Sequence, residues 1–591
     1  MLIRTDYSEG VYRHDLDLLK GLAIIAVVLY HAGFCKSGYL GVDVFLVISG
    51  YFIVPKVVRD IENDRFRYFR YLERRLFRLL PLVLIVTAVS LFIGYFGMLP
   101  GDYRYLCEES MATSVFADNI LQALTTQNYW AAIYHKVLMH TWYLGVLFQF
   151  YVVFPILMLL MRKRMLFGLI ILSVLSLLLY LMPIDTIGNK YYLLPYRFFE
   201  IAAGGIVGLK PFRVDSKLGT VSFLFILLVI FFGTFTVGDR TMPYNLVGGT
   251  NTIRESFLPR ELVLLLTVLF TLLFVSSFLG RFNDFATRSR VFAPLGRMSL
   301  SVYLWHQPIL AYYRYFYADE LSWMTLVGVV VVTFILSLIT YSVVERRLRD
   351  NRVSRICLIT MFLVINGFAL YFFQRGGVVR DVPELDIRGG ESDPMAFERY
   401  TDRIYQYDKD FPVDGTLPKI LVIGNSFARD FANILLESPD SINILLSYHY
   451  DFVDCPMRRI RQCDRIYFFG WKHQVPDSLW QNLKPGAEIW GIGTKNHGSS
   501  NGIFYKNRYK NDYYSQRTPL HPNFYAVNLL LREEWQSHYV DLLSLTMHDD
   551  GTVPVFTPDR YFITYDGKHL TPAGTRYYSR LLTSLKFLPM P

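Results

Sequence analysis

The sequence predicts a two-part fold, a multi-span α-helical membrane domain of about 11 transmembrane helices followed by an α/β/α domain, and three observations predict it. Apolar residues make up 52% of the 591 and charged residues only 19%, a balance that does not fit a chain wholly in water. The apolar residues concentrate in long runs before about residue 375, and such runs belong in lipid. Beyond that point the chain turns polar, with short apolar runs of strand length between Pro, Gly and Asn clusters. A chain of this length exceeds one compact core, so two unlike domains are expected.

The first part reads as eleven apolar stretches of spanning length, at 16–34, 39–55, 79–99, 140–161, 165–183, 194–209, 218–238, 261–279, 297–315, 324–343 and 354–374. The start, MLIRTDYSEGVYRHD, is polar and the first apolar run leads straight into a second, so the first span reads as a retained helix and not a cleaved signal. The net charge of +10 could suggest nucleic acid, but the basic residues cluster at the ends of apolar runs, which points to membrane lipid and to topology instead. With the N-terminus cytoplasmic, the inside loops carry dense groups such as Lys56 to Arg78, Arg162 to Arg164 and Arg346 to Arg355. The opposite loops hold scattered residues such as Arg104, Lys136 and Lys190. An odd number of spans starting inside ends outside, so everything after about residue 375 is expected to be extracytoplasmic. The expected division is 1–350 for the main membrane domain of ten helices, 351–375 for an additional transmembrane helix, 376–417 for a polar extracytoplasmic linker, and 418–591 for the exported domain. Cys455 and Cys463 lie close together there and could either form a disulfide or remain free thiols.

Charge inside a bilayer is costly and needs a reason. Lys20 and His31 are eleven residues apart, which on a helix falls about 20° from three full turns, so they share a face about 16 Å apart. A titratable imidazole near a membrane interface is a natural proton acceptor for an acyl-accepting hydroxyl. Arg197 and Glu200, spaced i to i+3, can neutralise each other, either as a fold lock or as part of a site. His306 in SVYLWHQP falls near mid-membrane. The run Arg74 to Arg78 (RRLFR) at a cytoplasmic mouth can act as a positive-inside anchor, as a dock for the phosphates of an acyl carrier such as coenzyme A, or as both.

The stretches YRHDLDLLKGLAIIAVVLYH and GYLGVDVFLVISGYFI, then HTWYLGVLFQFY (140–151), YRFFEIAAGG (196–205), LGRMSLSVYLWHQP (295–308) and YSVVERR (341–347), resemble the successive blocks of acyltransferase family 3 in the same order, over roughly residues 10–350. That family consists of integral membrane proteins that O-acylate carbohydrates. The resemblance carries over His31, Arg74, Arg75, Trp142, Arg197, Glu200 and His306 as candidates; with the residue readings above, His31 is the expected catalytic residue of this part and Lys20, Arg74, Arg75 and Arg78 the expected acyl-donor-binding residues. Three positions depart from the family pattern. Lys20 stands where the family usually has Arg, which keeps charge but loses the planar fork, and Leu147 and Phe148 stand where acidic residues are usual.

In the exported part, KILVIGNSFARDFANIL reads as a strand at 419–423, a tight Gly424-Asn425 turn, Ser426 and a helix. A serine at such a strand-to-helix turn has an exposed hydroxyl and a backbone N–H where negative charge is favoured. Near the far end YDGKHLTPAG places Asp566 three residues before His569, supplying a base for the serine and a carboxylate to orient that base. A strand between them, AEIWGIGT, ends at Asn496, whose amide can donate to an oxyanion. Further strands near 443, 465, 487 and 539 imply a parallel sheet with the site at its strand ends.

Ser, Asn and Asp-x-x-His in this order resemble the SGNH hydrolase family over about residues 418–588, although Asn425 replaces the usual Asp of its first block. The resemblance implies catalytic Ser426, Asp566 and His569, with Asn496 and Gly470 as oxyanion donors. The fusion resembles bacterial enzymes that O-acetylate lipopolysaccharide O-antigen or peptidoglycan. It implies a multi-pass inner-membrane O-acyltransferase that uses acetyl-CoA as acyl donor, needs no metal, and modifies a cell-envelope glycan, lipid-linked or polymeric, with no nucleic acid partner. A transporter would explain the spans but not a serine triad. A membrane-anchored glycan acetylesterase would explain the triad but leave His31 and the basic mouth idle.

Overall fold

The computed structural model describes residues 13–125, 136–182, 191–212, 214–233, 260–277, 292–318, 320–348, 351–389, 393, 395–412, 416–452, 454–498, 500–520 and 522–583. These fall into two compact units, one drawn from residues 13–96, 105–233 and 260–373 and the other from 97–104 and 374–583.

The first unit is all-helical: α1 (His14–His31), α2 (Gly41–Glu62), α3 (Tyr68–Gly97), α4 (Pro100–Ser114), α5 (Asp118–Thr125), α6 (Trp142–Leu160), α7 (Met165–Leu181), α8 (Leu194–Leu209), α9 (Ser216–Phe232), α10 (Arg260–Ser276), α11 (Phe292–Arg297), α12 (Ser299–Phe316), α13 (Trp323–Thr340) and α14 (Arg352–Gln374). Each of the eleven stretches read as spans overlaps one of these helices in its described residues. The far ends of the spans expected at 165–183, 218–238 and 261–279, and Lys190, lie outside the described residues.

Among the described residues, six helices are long and apolar enough to cross a membrane by length and composition: those containing α2, α3, α6, α7, α13 and α14. The others are shorter or carry polar groups. α1 opens with Asp15, Asp17 and Lys20, and α12 holds His306, Gln307 and Arg314. The composition gave no sign of α4 and α5, which are polar in sequence yet bury Glu109, Asp118, Asn119 and Gln122.

Small residues set the closest helix approach. A Cβ on Gly50 of α2 would strike the Ile201 carbonyl of α8, and one on Gly204 would strike the Val47 carbonyl, so the two backbones touch. That contact sets Asp43 beside Arg197.

In the second unit five parallel strands, β1 (Lys419–Ile423), β2 (Leu445–His449), β3 (Arg465–Phe468), β4 (Glu488–Ile492) and β6 (Tyr539–Val540), lie in the order β2-β1-β3-β4-β6. A second sheet pairs β5 (Arg517–Pro519) with β7 (Thr552–Pro554) antiparallel. The helices are α15 (Ala396–Asp402), α16 (Ser426–Leu436), α17 (Met457–Gln462), α18 (Asp477–Gln481), α19 (Asn501–Tyr505), α20 (Pro522–Trp535) and α21 (Pro572–Thr583). Ile420 to Ile423 are all buried, as the continuous apolar run of a central parallel strand requires.

The stretch read as a linker is packed where described. Ile404 and Phe411 join the core of this unit, and Arg403 reaches Asn433 and Glu437 on and just past α16. Of the two alternatives open for Cys455 and Cys463, the structure has free, buried thiols, and burial pushes them up to about 11 and about 12. The Cys463 thiol is turned to the Ile460 carbonyl at 3.1 Å.

Candidate active site

The serine site starts from the turn after β1. Gly424 has φ +138°, and a Cβ there would press on Phe469 and Ala428, so the position suits glycine. Asn425 caps α16, its side chain accepting the Phe427 N–H at 3.0 Å, which leaves Ser426 as the first helical residue. The Tyr448 hydroxyl of β2 donates to the Gly424 carbonyl at 2.9 Å and braces the turn.

The loop before α21 supplies the other two groups. His569 Nε2 stands 3.0 Å from Ser426 Oγ, and His569 Nδ1 stands 2.7 Å from Asp566 Oδ2. Asp566 Oδ1 accepts the backbone N–H groups of Lys568 at 2.9 Å and His569 at 2.8 Å. The Asp566 side chain is half exposed, and desolvation is outweighed by the neighbouring His569 and these hydrogen bonds, so the carboxyl lies below the usual carboxylate range. A carboxylate on Nδ1 leaves Nε2 as the basic nitrogen facing the serine hydroxyl, the arrangement of a general base beside a nucleophile.

The two oxyanion candidates are not brought to the serine by any hydrogen bond among the described residues. The Gly470 carbonyl accepts Trp535 Nε1–H at 2.9 Å, and Asn496 Oδ1 accepts the Gly498 N–H at 3.1 Å. The Ser426 N–H, at the first turn of α16, is the donor that lies next to the hydroxyl.

In the membrane unit, the structure brings His31 and His306 together. The rings lie nearly coplanar and edge to edge, with centroids 4.8 Å apart and 9° between planes, and His31 Nδ1 meets His306 Nε2. His306 Nδ1 faces the Val302 carbonyl at 3.2 Å, and Arg314 donates to the His31 carbonyl at 2.7 Å. His140 stands edge-on to His306 at 5.4 Å.

Lys20 is not drawn to His31. It pairs with Asp17 at 3.2 Å and lies over the Phe52 ring. Arg197 pairs with Glu200 at 2.6 Å and also with Asp43 at 2.8 Å, all three fully buried, and Trp142 flanks the guanidinium. Arg74 and Arg78 are exposed, while Arg75 is half-buried between the rings of Tyr71 and Tyr151.

Sequence reading missed Asp43 and His140, although both sit inside blocks that it used. An acid in the first turn of an apolar span, and a histidine opening HTWYL, were the available signals. It likewise missed the buried Asp430 and Lys495 of the second unit.

A polytopic helical unit with paired buried imidazoles, on one chain with an α/β unit carrying a Ser–His–Asp constellation, defines a membrane protein equipped for acyl chemistry. The acyltransferase domain model matches residues 13–342, more than half of the chain, and the chain belongs to that family. It is 27% identical over 351 residues to a Komagataeibacter xylinus protein described as a membrane-bound transacylase, covering 58% of this chain and 85% of the relative. It is 25% identical over 387 residues to the peptidoglycan O-acetyltransferase of Listeria monocytogenes, covering 59% of this chain and 57% of the relative. A Staphylococcus aureus protein described as an O-acetyltransferase is 25% identical over 342 residues, with 53% of each chain covered. The match thus spans little more than half the length of the latter two. No solved structure matches.

Proposed function

We propose that this membrane acyltransferase moves an acyl group, acetyl from cytoplasmic acetyl-CoA, to a hydroxyl of a cell-envelope glycan on the outer side of the cytoplasmic membrane. In this reading the N-terminus is cytoplasmic and the second unit is an SGNH-type extracytoplasmic domain. The observation that carries it is the Ser426–His569–Asp566 geometry on a chain whose membrane unit belongs to an acyltransferase family.

Partner chemistry assigns the protons in the membrane unit. The Val302 carbonyl can only accept, so His306 Nδ1 carries hydrogen and its Nε2 accepts from His31 Nδ1–H. His31 Nε2 then holds the free lone pair and is the basic atom. Arg74, Arg75 and Arg78, with Lys20, attract the phosphates of the donor, and His31 Nε2 takes the proton of the hydroxyl that accepts the acyl group as the thiolate leaves.

In the second unit Ser426 Oγ attacks the acyl carbonyl and His569 Nε2 takes its proton. The Ser426 N–H steadies the oxyanion, with Asn496 and Gly470 as further candidates, and His569 returns the proton to the departing oxygen. A sugar hydroxyl then attacks the Ser426 ester by the same steps in reverse, releasing the acylated glycan and free serine.

The relatives' names favour the transferase reading over an esterase, and peptidoglycan, named for the Listeria protein, stands beside O-antigen as acceptor. Membranes holding the full chain, given acetyl-labelled coenzyme A, should yield label on the Ser426 peptide that passes to added glycan. Label that reaches glycan without ever residing on Ser426 would reduce the second unit to a glycan-binding role. Release of acetate from glycan with no transfer would make the protein an esterase.

A further inference from the structure

A buried ion pair lies behind the serine site with no place in the chemistry above. Lys495 Nζ stands 2.9 Å from Asp430 Oδ2, with the two side chains 0% and 2% exposed. The same Asp430 Oδ2 accepts the backbone N–H of Leu570, the residue after His569, at 3.0 Å. Asp430 is one turn beyond Ser426 on α16, and four residues apart is the spacing that puts two side chains on one helix face. Lys495 precedes Asn496 at the end of β4, and its ammonium also lies 4.0 Å from the centre of the Phe427 ring, next to Ser426.

We infer that Asp430 is a positioning residue, a clamp that ties the nucleophile helix to the base loop, with Lys495 at the end of β4 as the counter-ion that lets its carboxylate be buried. This rests on the reading of Ser426 as nucleophile and His569 as its base. A buried ion pair is weak grounds for stability, since apolar replacements of similar volume are often neutral or stabilising, so its presence here calls for another role. Here the role is visible in the bonding. The serine and its base come from segments 143 residues apart, and among the described residues their own 3.0 Å contact and the Asp430–Leu570 hydrogen bond link α16 to the base loop. A catalytic contact that is remade in every turnover cannot also be what holds the loop in place. The Asp430 carboxylate does that, and Lys495 neutralises it where water cannot. Proton transfer depends steeply on that hydrogen-bond geometry.

The test uses the full-length protein in detergent and a fluorophosphonate probe that labels an activated serine, with the Ser426→Ala chain as background. Asp430→Leu combined with Lys495→Met removes the charges together with the acceptor for the Leu570 N–H. Asp430→Asn combined with Lys495→Met removes the charges but keeps an acceptor. With both pairs folded by thermal melting, the Leu pair should label Ser426 at least tenfold more slowly than wild type and lose the pH dependence that His569 confers, while the Asn pair stays within about threefold. A purely structural role would not separate the two pairs. Wild-type labelling and pH profile in the Leu pair would overturn the clamp. Should the Leu pair fail to fold, Asp430→Glu, which keeps the charge but displaces the acceptor by one methylene, serves in its place: slowed labelling upholds the clamp and an unchanged rate overturns it. Labelling of the wild type no faster than of Ser426→Ala would instead remove the nucleophile reading, and the clamp with it.

Discussion

Replacing Asp566 by Asn should disable the serine while leaving the fold intact, and the hydrogen bonds dictate why. Oδ1 of Asp566 serves two backbone N–H groups, those of Lys568 and His569, so an Asn at 566 keeps its oxygen there and must turn its NH2 toward His569 Nδ1. A donor facing Nδ1 forces the imidazole proton onto Nε2, which then points a hydrogen, not a lone pair, at Ser426 Oγ 3.0 Å away. Loss of the correct tautomer in serine triads of other proteins lowers turnover about 10⁴-fold, equivalent to about 5 kcal/mol of barrier. The turn survives because its two backbone bonds survive, so melting temperature should barely change. The assay is fluorophosphonate labelling of the full chain, with Ser426→Ala as zero. Labelling of Asp566→Asn within tenfold of wild type would refute the tautomer argument. The wild-type Asp566 carboxyl is depressed, so it stays ionised through mildly acid pH, and any stability it lends is present above the ordinary carboxylate pKa and lost only as pH falls through its own lower value.

Other expectations concern stability and the membrane site. His497 is buried, its Nδ1 donating to the Pro554 carbonyl and its Nε2 accepting from the Tyr578 hydroxyl, both at 2.9 Å, and burial holds its pKa down to about 4. Its contribution is therefore full above the unfolded value of about 6.5 and lost as pH falls toward 4, up to about 3 kcal/mol. The melting temperature of the second unit should accordingly drop more steeply below pH 6 in wild type than in His497→Gln, and parallel curves would contradict this. Arg197→Ala strands Asp43 and Glu200 without their cation and should cost about 3–5 kcal/mol, read as collapse of the membrane-inserted level; a normal level and melting point would show that the triad is dispensable. His31→Ala should abolish acyl transfer at normal membrane levels, and His306→Ala, which only frees His31 Nδ1, should slow it by about 10²-fold; normal transfer in the first would remove the base.

What could be read from the sequence was what local pattern determines. The apolar runs fixed the positions of the helices, and the alternation of strands and helices after residue 418 foretold the parallel sheet, because both periodicities follow from backbone geometry. That Ser426, Asp566 and His569 could meet was legible because a serine at a strand-to-helix turn and an Asp-x-x-His loop are short-range patterns. The partners that only tertiary packing supplies were not. Asp43 reaches Arg197 across the glycine-lined approach of α2 to α8, and Asp430 meets Lys495 across 65 residues of chain. Polar α4 and α5 escaped notice because their buried groups satisfy one another. Gln122 bonds Glu109 and Asp118, and Thr141 bonds Asp118, so the segment reads as loop until its partners are seen.

In the proposed relay, acyl groups pass through Ser426 to an envelope glycan. The most direct measurement is mass spectrometry of O-acetyl groups on peptidoglycan and O-antigen from cells lacking the protein, complemented with wild type or with Ser426→Ala at equal membrane levels. Wild type should restore O-acetyl groups to one of these glycans and Ser426→Ala should leave it at the background of the deletion. Full acetylation by the Ser426→Ala chain would contradict the relay.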